Sequence, residues 1–293
     1  IRERINEAID ENIILIDTSG SVIGQVNSLA VHDLGTFAFG RPARITCEVS
    51  MGEGGVINIE REAKLSGQIH DKGILILEGY LRHVYGQDGP ITLSASITFE
   101  QSYSQIDGDS ASLAEALVLT SKLSGLPLRQ DLAVTGSINQ KGEVQAIGGV
   151  NEKIEGFFLA CKSKGLNGSQ GVVIPKSNVA ELMLSDEVLK EIKAGRFNIY
   201  PVSTVNQALE IFTGVVAGRR LKKGSFTKGS VHNRVDMTLA HFYWAGKSDG
   251  YKRDDEKETP KPEKKTPLPR RRRPKKDDDG GEPTDPRDTE EPD

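Results

Sequence analysis

Cysteine is nearly absent from this chain: two residues in 293, Cys47 and Cys161, neither with a metal-ligating neighbour at short spacing. That excludes a disulfide scaffold and a cysteine-based zinc module, and it fits a reducing compartment. No apolar run approaches the roughly 20 residues a membrane-spanning helix needs, and the start of the chain lacks the basic and apolar regions of a signal peptide. A cytoplasmic protein without a membrane partner is expected. The phosphate-binding pattern G-x-x-x-x-G-K-[ST] is missing, and Gly52-Glu53-Gly54-Gly55 leads into a strand-like run instead of a helix, so no nucleotide site is expected in this chain. The net charge of -4 gives no global pull toward nucleic acid. Hydrophobic residues make up 36% of the chain, too few for a compact fold throughout, so part of it should lie outside any core.

What is present divides into stretches of different character. Ile1 to Ile9 has helical periodicity, as if continuing from something upstream, and the chain reads as the C-terminal part of a longer protein. Ile13–Asp17 and Ser21–Val26 are β-prone and separated by Thr18-Ser19-Gly20, a hairpin-like signal. Ala43–Val49 and Val56–Glu60 alternate, Gly73–Gly79 is a continuous apolar run suited to a buried strand, and residues 90–100 alternate again. The first hundred residues therefore read as mainly β. From Ser110 the pattern becomes helix to about Leu123, strand at Leu132–Thr135, helix near 150–164 and strand at Gly171–Pro175. Two short helices over 177–194, a strand at Asn198–Val202 and a closing helix from Thr204 to Phe212 follow. The expected class is α+β, an α/β two-layer arrangement with a β-rich N-terminal half followed by β-α-β units.

The expected divisions are a lead-in helix and first strand over 1–19, the main domain over 20–214, an extension over 215–250, and a disordered charged tail over 251–293. Val231–Trp244 suits an amphipathic helix with Val231, Val235, Leu239 and Phe242 on one face. The tail holds 13 Lys or Arg against 14 Asp or Glu, and eight of the chain's 13 prolines. Such a segment cannot bury enough apolar surface to offset the entropy of ordering it. Its block Arg270-Arg271-Arg272-Arg273 is a candidate DNA contact, or a solvated run neutralised by Asp277-Asp278-Asp279.

Two positions carry the candidate chemistry. In Asp107-Gly108-Asp109-Ser110 a turn delivers a serine to the start of a helix, where backbone N–H groups and the helix dipole can hold an oxyanion. The same residues also suit an ordinary helix N-cap. A serine nucleophile needs a base, and none of the five histidines (His32, His70, His83, His232, His241) is placed for one; His70-Asp71 reads as a turn. Lysine is the alternative. Lys153 falls one step off the apolar stripe formed by Val150, Ile154, Phe157, Phe158 and Cys161, so its stem either lies against the core or carries the ammonium to water. Burial near a helix start would lower its pKa toward the range of a base.

Taken together, Asp107–Ser112, Val134-Thr135-Gly136-Ser137-Ile138 with Gly142-Glu143-Val144, and Ile147–Lys153 resemble the proteolytic domain of Lon proteases in order and spacing. The likeness is strongest to the B-type branch and its bacterial Lon-related ATP-dependent members, and it runs from Val22 to the helix ending near 212. The resemblance implies a serine endopeptidase with a Ser-Lys dyad, here Ser110 and Lys153, with Thr135 orienting the lysine. Asp107 and Asp109 stand at acidic positions typical of that branch, where a carboxylate would raise the lysine pKa and restrain the site. The same resemblance implies unfolded polypeptide substrates, a ring hexamer, and an upstream AAA+ ATPase that uses ATP with magnesium. The competing reading is a non-catalytic Lon-like module for oligomerisation or DNA handling.

Overall fold

A computed structural model describes residues 2–255, and side chains over 3–247. Ile1 and residues 256–293, which hold most of the expected tail with its Arg270–Arg273 block, lie outside the described residues; 251–255, expected to be disordered, instead continue a helix.

Helix α1 (Arg2–Asp10) leads in and is followed by irregular chain, not by the strand expected at Ile13–Asp17. The backbone there is held by the Gln101 side chain, which accepts from Leu15 N and donates to Ile13 O. The expected hairpin is likewise not formed. Strand β1 (Ser21–Val22) pairs far away with Leu128–Arg129, and β2 (Gln25–Asp33) pairs antiparallel with β3 (Ala38–Ser50). A short β4 (Gly55–Asn58) runs into α2 (Ile59–Glu62), one turn of helix where a strand was expected to continue to Glu60.

The larger correction is α3, Gln68–Tyr85, which contains the supposed buried strand Gly73–Gly79. Ile74, Leu77 and Leu81 share a buried face at helical spacing, whereas Leu75 is 57% exposed. A short apolar run fits either period, and the decisive help is remote: the Asp107 carboxylate accepts from the N–H groups of Ile69 and His70 at the helix start. His70 and Asp71 thus belong to the first turn of a helix, not to a loop turn.

After β5 (Ser94–Phe99) the expected elements follow in order, with three unexpected two-residue strands among them and a 3-10 turn in place of the first of two short helices. The elements are α4 (Ser112–Ser124), β6 (Leu128–Arg129), β7 (Leu132–Val134), β8 (Ser137–Ile138), β9 (Val144–Gln145), α5 (Val150–Lys164) and β10 (Gly171–Pro175), of which β6, β8 and β9 are the unexpected strands. A 3-10 turn at Lys176–Glu181 precedes α6 (Asp186–Lys193), β11 (Asn198–Val202), α7 (Val205–Thr213) and α8 (Val231–Asp255). Along α8, Val231, Val235 and Leu239 are buried and Phe242 packs against the same core.

The main sheet has seven strands in the order β11-β10-β7-β2-β3-β5-β4. The β11, β10, β7 and β2 pairings are parallel, β3 is antiparallel to both neighbours, and β4 joins β5 in parallel. The class is α+β. Helices cover both faces, which adds a layer to the two-layer packing expected, because the central strands are apolar on both sides. In β10, Val173 joins the core containing Leu113, Leu117 and Phe212, while Val172 and Ile174 join the one containing Ile154, Phe157 and Phe197.

Candidate active site

Ser110 stands two residues before α4, which starts at Ser112 with Ala111 as its cap and no side-chain capping bond. Asp109 therefore does not cap the helix. Its Oδ2 instead accepts a hydrogen bond from Ser137 Oγ at 2.8 Å. Asp107 is engaged elsewhere too: its Oδ1 accepts from the N–H groups of Gly108 (2.9 Å), Ile69 (3.1 Å) and His70 (3.4 Å). The Gly108 amide, with those of His70 and Ile69, holds this carboxyl below its usual pKa. Gly108, at φ +96°, makes the turn that an L-residue would strain to adopt.

The turn is then stitched to β7. The Ser110 carbonyl accepts from Gly136 N at 2.8 Å and from Thr135 Oγ1 at 3.3 Å, and Leu113 N donates to Gly136 O at 3.1 Å. Ser112 Oγ accepts from Ile138 N at 3.0 Å, so this second serine ties α4 to β8.

Lys153 comes from the first turn of α5, where its N–H donates to Gly149 O. That helix is seated by a close backbone approach to β3. A Cβ on Gly40 would lie 1.9 Å from the Glu152 carbonyl oxygen, and one on Gly156 would lie 2.3 Å from the Gly40 oxygen. No side chain fits there, and nothing local in the sequence marks the two glycines as partners. The lysine is only 3% exposed, so the core-facing alternative holds.

Its Nζ lies 2.9 Å from Ser110 Oγ and 3.2 Å from Thr135 Oγ1. Burial pulls the Lys153 pKa down to about 8, and the charge of Asp109 opposes that fall. Of the two carboxylates expected to act on the lysine, Asp109 does so; Asp107 serves the start of α3. Ser110, Lys153 and Gly149 open onto a cleft of about 470 Å3, lined also by Val31, Arg41 and Phe99. Arg41 makes no ion pair among the described residues, and its Nε is buried without a hydrogen-bond partner. Sequence reasoning missed it because it lies on a strand far from every motif.

Residues 99–213 match the model of the Lon protease (S16) C-terminal proteolytic domain. The chain is 45% identical over 218 residues to the "Putative Lon protease homolog" of Escherichia coli (strain K12), covering 74% of this chain and 37% of that protein. It is 46% identical over 216 residues to the protein of the same name from Haemophilus influenzae, covering 73% and 36%. With the "Archaeal Lon protease" of Thermococcus kodakarensis the figure is 35% over 198 residues, covering 67% and 28%. The chain thus spans little more than a third of the bacterial relatives. No helix among the described residues is long and apolar enough to cross a membrane.

Proposed function

The chain carries a Lon-type proteolytic domain, and from that premise we propose that it is a serine endopeptidase whose dyad is Ser110 and Lys153. The observation that carries the reading is the 2.9 Å separation of Lys153 Nζ and Ser110 Oγ, made by a buried lysine whose pKa is drawn to about 8. At pH 7 roughly one such lysine in ten is neutral, against fewer than one in a thousand at the ordinary value.

A neutral amine has one lone pair and two protons. An N–H directed at Thr135 Oγ1 leaves the lone pair free to face Ser110, and the Thr135 hydroxyl donates its own hydrogen bond to the Ser110 carbonyl. Ser110 Oγ then attacks the peptide carbonyl while its proton moves to Lys153. The lysine gives that proton to the departing amine as the C–N bond breaks, leaving an acyl-enzyme. Water, deprotonated by Lys153, cleaves the ester and restores the serine. Backbone amides around Ser110 are the proposed oxyanion donors. Asp109 restrains the site by favouring the ammonium, and Asp107 supports it by fixing the turn. We assign the domain to residues 20–214.

In the whole protein this domain would receive unfolded polypeptides from an AAA+ module that uses ATP with magnesium, within a ring hexamer. Ser110→Ala and Lys153→Ala should each lower cleavage of a fluorescently labelled unfolded protein by on the order of 10²- to 10⁴-fold, with circular dichroism and melting unchanged in kind. Full activity in either variant would overturn the assignment.

A further inference from the structure

Beside the turn that presents Ser110 lies a second group of buried ionisable side chains that the proteolytic chemistry does not use. Glu115, one turn into α4, and His70, in the first turn of α3, are each 1% exposed, and Glu60 of α2 is 3% exposed. Glu60 Oε1 accepts from Thr98 Oγ1 and from Phe99 N, both at 2.8 Å, and its Oε2 is unpartnered. Glu115 Oε1 accepts from Asn58 Nδ2 at 3.4 Å and lies 3.7 Å from His70 Nε2, an atom that also has no hydrogen-bond partner. The ring packs edge-on against Phe99 and is hydrogen-bonded to the backbone of Gly108, two residues before the nucleophile. Because Nε2 faces Glu115, that contact with Gly108 falls to Nδ1.

Burial sets the protonation of both partners. It raises Glu115 to about 8, helped by the nearby Glu60 charge. It lowers His70, against the opposing pull of Gly108, Glu60, Asp71 and Asp107. Near neutrality the pair is a carboxylic acid facing an imidazole with one ring proton. Such an imidazole can donate from only one nitrogen. If Nδ1 donates to the Gly108 carbonyl, Nε2 presents a lone pair, and the acid has a proton to place on it. A carboxylate would instead set lone pair against lone pair.

We propose that Glu115 and His70 are a positioning pair for Ser110. The Glu115 carboxyl donates its proton to His70 Nε2, this holds the ring proton on Nδ1, and Nδ1–H grips the Gly108 carbonyl and with it the Asp107–Ser110 turn. The two atoms stand 3.7 Å apart, and the terminal carboxyl torsion that sets their separation is a soft one. The Asp107 carboxylate, held by the amides at the start of α3, grips the same turn from the adjacent residue.

The proposal borrows the Ser110–Lys153 reading only for its activity readout, so its test has two independent arms on the 293-residue chain. In the first, 15N-histidine spectra of wild type, assigned with His70→Gln, should show a protonated Nδ1 and a bare Nε2 at pH 7. That tautomer should give way as pH rises through about 8, and should persist through that range in Glu115→Gln, whose amide still donates. A ring protonated at Nε2, or at both nitrogens, in wild type at pH 7 would overturn the pair. In the second arm, phosphonylation of Ser110 by a fluorophosphonate probe, in which Oγ–P forms and fluoride leaves, should be near wild type in Glu115→Gln. In Glu115→Leu it should fall by on the order of tenfold to a hundredfold, with probe affinity kept. A folded Glu115→Leu that is labelled at the wild-type rate would also overturn it. If Ser110→Ala is labelled like wild type, the dyad reading fails, and the tautomer still decides the positioning pair. Should Glu115→Leu not fold, the wild-type and Glu115→Gln spectra carry the test.

Discussion

Lys153 and Glu115 adjoin the same short turn from two different helices, and burial displaces both toward pH 8 from opposite ends of the scale. Desolvation favours the neutral form in each case, yet the neutral forms have opposite uses: a neutral lysine is a base, and a neutral carboxyl is a proton donor. Their surroundings differ accordingly. Lys153 has two made contacts, at 2.9 and 3.2 Å, and opens onto the cleft. Glu115 has two long ones, at 3.4 and 3.7 Å, and touches only protein. On the readings proposed above, the same physical cause would prepare one group for chemistry and the other for holding the backbone that presents it.

The two also oppose each other in stability. Between 4.5 and about 8 the folded chain binds more protons at Glu115 than the unfolded chain does, so that contribution is full at low pH and is lost as pH rises. Between about 8 and 10.5 the unfolded chain binds more protons at Lys153, so the cost of burying the lysine is full below pH 8 and relieved above it. Together they place a minimum in this part of the stability profile near pH 8.

The strongest way to break the comparison is Lys153→Met, which keeps the packing and removes the charge. Acylation should be lost, the alkaline rise in stability should vanish, and the protein should gain about 3 kcal/mol at pH 7. Chemical denaturation across pH measures this, and a loss of stability at pH 7 would refute the buried-amine account. Glu115→Gln should remove the fall between pH 4.5 and 8 and leave the alkaline limb in place.

A smaller effect is expected from Gly40→Ala. The added methyl has no room against the Glu152 carbonyl, so α5 must shift, at a cost of about 1–3 kcal/mol. Peptidase activity should fall while the His70 tautomer stays unchanged; loss of both together would show that the two regions are not separable. The mildest change is Asp109→Asn. Removing the charge that opposes the lysine's lowered pKa should move the ascending limb of the acylation-pH profile down by about half a unit, and a shift upward would contradict the role given to Asp109.

The pattern of agreement between sequence and structure follows contact distance. From Leu132 to Phe212 the longer helices and strands are specified by their own residues: turn glycines, a Thr204 cap that accepts from Gln207 N, and apolar periods long enough to be unambiguous, whereas the two-residue strands β8 and β9 have no such signal. Upstream, Gly73–Gly79 has an apolar run that suits either period, and its helix is completed by Asp107, 34 residues beyond Gly73. Ile13–Asp17 has β-prone residues, but its backbone groups are satisfied by the Gln101 side chain, so no strand forms.

The site divides in the same way. Ser110, Thr135 and Lys153 are legible only through the resemblance of three ordered motifs to the Lon proteolytic domain; locally Ser110 suits a helix cap and Lys153 a solvent-reaching side chain. His70, Glu115, Gly40 and Arg41 are not legible, because each acquires meaning only from a partner that folding brings up. By itself the sequence determined the α+β class, the order of elements after Ser110 and which hydroxyl and amine could meet. Only the tertiary structure decided that they do meet, at 2.9 Å, and that the lysine is 3% exposed. Desolvation and close backbone approach belong to the packed molecule, and no local pattern of residues encodes them.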